Sequence, residues 1–216
     1  ATVRSLFTSA AGTLARTFRE RATELDDVRE ELDARVRSAI EEVNSLVEQI
    51  ADLNREVVFA ENGASGGGAA NDLRDQRSAA ISRLAAFIDL RTVETSDGAV
   101  TVASGSDILV SGVDANRLVA VERAEGTVLV SEIRFASSGN LLRPTSGAIG
   151  GLLAGRDEIV TRYRADLDTL ARGIILETNR IHATGVGLSR RSSVVSNQSV
   201  SDAGASLVNA GLPFAV

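Results

Sequence analysis

The sequence predicts an α+β protein: an elongated bundle of long antiparallel α-helices with an inserted antiparallel β-hairpin subdomain. Three observations predict it. An apolar stripe of helical period runs through the first sixty or so residues. The period then drops to two between about residues 90 and 135. A helical period returns near Ser146 and continues to about Ala183. The expected divisions are a discontinuous helical rod over 1–89 and 146–185, a β unit over 90–145, and an extended segment over 186–216 leading to a truncated outer domain.

The first helix rests on Leu14, Phe18, Leu25, Val28, Leu32, Val36, Ile40, Val43, Val47, Ile50, Leu53 and Val57, with one polar turn at Arg21. The spacing averages about 3.6 residues per turn, no Pro interrupts it, and its only Gly is Gly12. A helix of this length reaches roughly 90 Å at about 1.5 Å per residue, so it must lie against other long helices. Asn62-Gly63 ends it, since both residues tolerate the left-handed backbone of a helix terminus. A Gly-rich loop over 63–70 follows, and Asn71 or Asp72 is the expected N-cap of a second helix carrying Leu73, Ala80, Ile81, Leu84, Phe87 and Ile88. The short loop folds this helix back along the first.

Strands are expected at Leu90–Thr95 and Ala99–Ala103, joined by the turn Ser96-Asp97-Gly98. Further strands are expected at Asp107–Ser111, Arg117–Arg123 and Thr127–Phe135, giving about five in one antiparallel unit. The returning helix carries Ile149, Leu153, Val160, Tyr163, Leu167, Leu170, Ile174 and Ile181. Its period matches that of the first helix, so the two are expected to share a seam. Gly150, Gly151, Gly155 and Gly173 weaken it and suit close approach of a neighbouring backbone.

Composition narrows the chemistry. A net charge of −6 argues against nucleic acid and anionic membranes as partners. With no Cys, disulfides, Fe–S clusters and thiolate catalysis are excluded. No run of apolar residues is long enough to span a membrane, and no signal peptide is visible. A chain that starts at Ala1 and contains no Met reads as an internal piece of a longer protein.

No constellation points to catalysis. Gly63-Ala64-Ser65-Gly66-Gly67 fits the letters of a nucleophile elbow but lacks the preceding strand, and it lacks the Lys of a phosphate-binding loop. His182, the one histidine, has no nucleophile or companion ligand at helical spacing and suits a helix C-terminus. The acidic pairs Asp26-Asp27, Glu30-Glu31 and Glu41-Glu42 diverge around a helix. Together with the i,i+4 pairs Glu31–Arg35 and Asp33–Arg37 they read as a solvated face. Asn197-Gln198-Ser199 is a formal glycosylation sequon of little weight. No catalytic, cofactor-binding or metal-binding residue is assigned, and no cofactor is expected.

Four stretches carry a resemblance. They are Ile40-Glu41-Glu42-Val43-Asn44-Ser45-Leu46 through Ile50-Ala51-Asp52-Leu53-Asn54; Ala70-Asn71-Asp72-Leu73-Arg74-Asp75-Gln76-Arg77; the run from Ser146 through Gly150-Gly151 to Arg156-Asp157; and Asn179-Arg180-Ile181-His182-Ala183-Thr184-Gly185. In this order they resemble the flagellar hook-associated proteins of the FlgK type, and Ala210-Gly211-Leu212-Pro213-Phe214 is similar to that family's approach to an outer domain. The resemblance implies a structural protein of the bacterial flagellum rather than an enzyme. It implies export without a cleaved signal peptide and assembly in a ring joining hook to filament. The implied partners are further copies of itself, hook protein, a neighbouring junction protein and an export chaperone. Without terminal helices the piece is expected to be monomeric. The competing reading is a coiled-coil interaction or adhesin module, which the intramolecular return helix disfavours.

Overall fold

A computed structural model of the chain describes residues 2–62, 68–125 and 128–184. Helix α1 spans Thr2–Asn62, 61 residues without a break. Helix α2 spans Gly68–Ala85 and packs on α1. Four short strands follow as one antiparallel sheet in the order β1-β2-β3-β4: β1 Arg91–Glu94, β2 Val100–Ser104, β3 Asp107–Ser111 and β4 Asp114–Ala115. Strands β5 (Leu118–Glu125) and β6 (Val128–Phe135) form a separate antiparallel ribbon. Helix α3, Gly147–Ala154, leads through a π-helical turn at Gly155–Val160 into α4, Thr161–Thr184. The chain forms two compact units, Ala1–Ala171 and Arg172–Val216.

The first unit is organised on the middle of α1. Val36, Ile40, Val43, Val47, Ile50 and Leu53 are buried there against Leu84 and Ile88, against Val102 and Leu109 of the four-stranded sheet, and against Ile133, Phe135 and Ile149. Both sheets thus share one core with the helices, aliphatic but for Phe135 and the partly buried Phe87. The turn Ser96-Asp97-Gly98 forms as expected. The Thr95 amide donates to the Ala99 carbonyl at 2.8 Å, Asp97 accepts from the Thr95 hydroxyl, and Gly98 has φ +85°. In the second unit, residues 172–184 continue α4, with an Arg180–Glu177 ion pair and His182 in the last turn.

Several expectations need correction. Asn71 and Asp72 do not cap α2. Helix begins already at Gly68, and Ala70 is packed to 6% exposure, so packing overrides the weak propensity of the glycines. Phe87 and Ile88 lie beyond the end of α2, in a turn in which the Phe87 amide donates to the Leu84 carbonyl at 3.0 Å. The strands number six among the described residues, in two sheets rather than one; the two-residue β4 carries no periodicity to read. The stripe of α1 is buried from Val36 onward, but Leu14 and Val28 stay exposed. On the returning helix Tyr163, Leu170 and Ile181 are also exposed. The Gly63–Gly67 motif and Asn197 lie outside the described residues.

The glycines divide differently from the expectation. A Cβ on Gly151 or Gly173 would meet nothing, one on Gly155 would make ordinary contact with Leu32, and one on Gly150 would approach the Thr145 carbonyl carbon at 3.1 Å. The close approach is at Gly147, with φ +75°. A Cβ there would lie 2.5 Å from the Phe87 carbonyl carbon and oxygen. The neighbouring amides of Ala148 and Ile149 donate to the carbonyls of Ala86 and Phe87 at 2.9 and 3.0 Å. The start of α3 is therefore hydrogen-bonded directly onto the turn that ends α2.

Candidate assembly surface and its buried polar supports

Two asparagines one decade apart on α1 fasten strands to the helix in the same way. Asn44 donates through Nδ2 to the Leu118 carbonyl at 2.9 Å and accepts from the Leu118 amide at 2.7 Å. Asn54 donates to the Val100 carbonyl at 2.8 Å and accepts from the Val100 amide at 3.0 Å. A primary amide presents the same donor–acceptor pair as a peptide group, so each Asn occupies one rung of a strand edge. Asn54 also donates to the Gly112 carbonyl at 2.6 Å.

Arg77 of α2 completes the Asn54 site. Its Nη1 donates to Asn54 Oδ1 at 3.0 Å and to the Gly98 carbonyl at 2.6 Å, and its Nη2 faces Glu94 at 3.4 Å. Burial lowers the Arg77 pKa, and Glu94 offsets part of that. Above it, Arg74 binds Glu61 and Glu94, which ties α2 to the end of α1 and to β1. The block Asn71–Arg77 that stands out in the sequence thus contributes its two arginines to fold closure.

A second buried centre is Asp33, which the sequence places on a solvated face and the structure buries to 3% exposure. It accepts from the Ser131 amide at 2.8 Å, the Ser131 hydroxyl at 2.9 Å and Arg37 at 2.7 Å, and it pairs with Arg156. Arg156 sits in the π turn, also 3% exposed, and donates to the Ser131 carbonyl at 3.0 Å and to Asp157 at 2.7 and 3.0 Å. Burial alone would raise the Asp33 pKa. The Ser131 and Arg156 hydrogen bonds and the Arg156 charge outweigh it and hold the carboxyl below the usual range. Arg156 falls where the apolar stripe skips a turn between Leu153 and Val160. That gap is the one trace of this centre in the sequence. The predicted Glu31–Arg35 pair does lie on the solvated face, at 2.5 Å.

Beside the 470 Å³ cleft next to Arg156, Glu132 is held by Arg123 and Arg134 and Asp157 by Arg156. Among the described residues no group of three His, Cys, Asp or Glu could hold a metal ion, and no helix is long and apolar enough to cross a membrane.

The surface that stands out is an open groove of about 490 Å³ between α1 and α4. It is lined by Leu25, Val28, Tyr163, Leu167 and Leu170 and edged by Arg21, Glu24 and Asp166. Arg164 closes one side by pairing with Asp26. Leu167 and Ala171 are partly buried, whereas Val28, Tyr163 and Leu170 stand 44%, 56% and 58% exposed. Two helices cover only one side of an apolar stripe this wide. The other side has the shape and chemistry to receive an amphipathic helix.

A long helix, two sheets fastened to it by buried polar side chains, and an apolar inter-helix groove define a helical assembly module. Comparison with known proteins gives the family. The model of the flagellar hook-associated protein FlgK helical domain matches residues 1–193, and the chain belongs to that family. It is 30% identical over 169 residues to flagellar hook-associated protein 1 of Salmonella typhimurium, covering 74% of this chain and 30% of that protein. It is 27% identical over the same length to flagellar hook-associated protein 1 of Escherichia coli K12. The structure of the flagellar hook junction protein FlgK from Burkholderia pseudomallei is similar with a TM-score of 0.59 at 28% identity, covering 68% of this chain and 27% of that one. The chain thus spans about a third of the length of these relatives.

Proposed function

We propose that this chain is the helical part of a structural protein of the bacterial flagellum that joins hook to filament. The observation that carries the reading is the FlgK helical-domain match over residues 1–193. The open groove between α1 and α4 supports it, because an apolar inter-helix face suits packing within a tube of helices. On this reading the protein acts outside the cell, exported without a cleaved signal peptide, and is not an enzyme. It stands in a ring of its own copies between hook protein and a neighbouring junction protein, and an export chaperone escorts it. The helical rod would comprise 1–89 and 146–185, the β unit 90–145, and 186–216 would lead to an outer domain. The isolated chain would be monomeric.

Electron microscopy of source cells lacking the full-length gene tests this, with immunoblots of the medium for flagellin. Hooks without filaments and flagellin shed into the medium are the expected result. Normal filaments and swimming in cells without a second copy of the gene would overturn it and favour a partner-binding coiled-coil module.

A further inference from the structure

We infer that the helix from Gly147 to Ala171 has two registers, and that Arg156 holds it in the π register seen here. A π turn carries one more residue than an α turn. If Gly155–Val160 relaxed to α geometry, everything after Val160 would turn by about 100° and shift by about 1.5 Å. The turn cannot be taken up upstream, because the amides of Ala148 and Ile149 are bonded to the carbonyls of Ala86 and Phe87 and Ile149 is fully buried.

Each register buries a different half of the same apolar stripe. In the π register Arg164, Leu167 and Ala171 are the partly buried positions, with Arg164 paired to Asp26. Tyr163 and Leu170 stand beside them, 56% and 58% exposed. Removing the extra residue brings Tyr163 to the place of Arg164, Asp166 to that of Leu167 and Leu170 to that of Ala171. The α register thus gains an aromatic and a leucine and gives up Leu167 and the Arg164–Asp26 pair. The seam offers comparable apolar cover either way.

What selects between them is the grip on the π turn itself. Arg156 reaches two other elements, Asp33 on α1 and the Ser131 carbonyl on β6, and pairs within its own turn with Asp157. Such a switch re-aims the outer face of α4 without moving the core, so the groove that it lines with α1 would show a neighbour a different set of side chains.

Spin labels test this, since the chain has no native Cys. Ala34→Cys on α1 and Ala165→Cys on α4 are both exposed. A 100° turn on a helix about 10–12 Å across displaces a side chain by about 8 Å. Dipolar electron resonance on the otherwise unchanged protein is expected to give one inter-label distance. Arg156→Leu is expected to shift it or add a second. Deleting Ile159 in the Arg156→Leu protein is expected to restore the first distance, because an all-α run one residue shorter keeps the original phase. An Arg156→Leu protein with unchanged helicity and an unchanged distance would overturn the inference. So would an Ile159 deletion in the Arg156→Leu protein that leaves it folded with a new distance. Should Arg156→Leu fail to fold, Arg156→Gln takes its place and is read by the same outcomes.

Discussion

Arg77 Nη1 donates to Asn54 Oδ1 at 3.0 Å in a site where neither residue is more than 3% exposed. This contact joins α1, α2 and the first hairpin, because Asn54 also serves Val100 and Gly112 while Arg77 also serves Gly98. Asn54→Ala leaves several buried polar groups unpartnered, each costing about 1–3 kcal/mol. Urea unfolding is expected to show a loss of at least about 3 kcal/mol, summed over those groups. A loss below about 1 kcal/mol, the value of an ordinary hydrogen bond, would mean that the site is hydrated.

Asp33 should govern the acid limb of stability. Its folded pKa lies below the unfolded value of about 3.9. Its contribution is therefore complete above about pH 4 and is lost as pH falls through the folded pKa. Asp33→Ala strands the Arg156 charge and is expected to cost about 3–5 kcal/mol near neutral pH. Asp33→Asn removes the titration, so the stability gap between it and the unchanged protein should narrow from pH 5 down to pH 2. A gap that stayed constant over that range would show that Asp33 does not titrate with unfolding.

Gly147→Ala and Gly151→Ala form a matched pair on one helix. The first puts a Cβ into the Phe87 carbonyl at positive φ and is expected to destabilise by about 1–3 kcal/mol. The second meets nothing and is expected to stabilise by up to about 1 kcal/mol through helix propensity. Thermal melts of the two proteins compare them directly, and equal effects would refute the close approach.

Val28→Gln and Leu170→Gln probe the groove. Both side chains are largely solvated, so each change should move stability by no more than about 0.5 kcal/mol. In the full-length protein the pair should still impair swimming and filament attachment. Motility equal to the unchanged strain would remove the groove from the assembly surface.

Long-period features were legible in the residues alone. α1 follows from an unbroken stripe, and the hairpin at Ser96-Asp97-Gly98 from a turn that needs a glycine at positive φ. The family resemblance likewise rested on Asn44, Asn54 and Arg77, although their work as clamps could not be seen there. A polar side chain reads as surface unless its partner is known, and Asn54 finds Val100 forty-six residues away. Asp33 was misplaced for the same reason, since its partners Ser131 and Arg156 arrive from remote elements.

The sequence by itself determined the class: helices where apolar residues recur every three to four positions, strands where they alternate, and a mainly aliphatic core without thiol chemistry. Those are local properties, set by period and composition. The tertiary structure decided which stretches of each stripe are covered, which charges are buried, and that the returning helix takes a π turn at Arg156. Each depends on what packs opposite. A buried ion pair and an extra residue in a helical turn persist only where contacts from distant segments outweigh desolvation and local geometry.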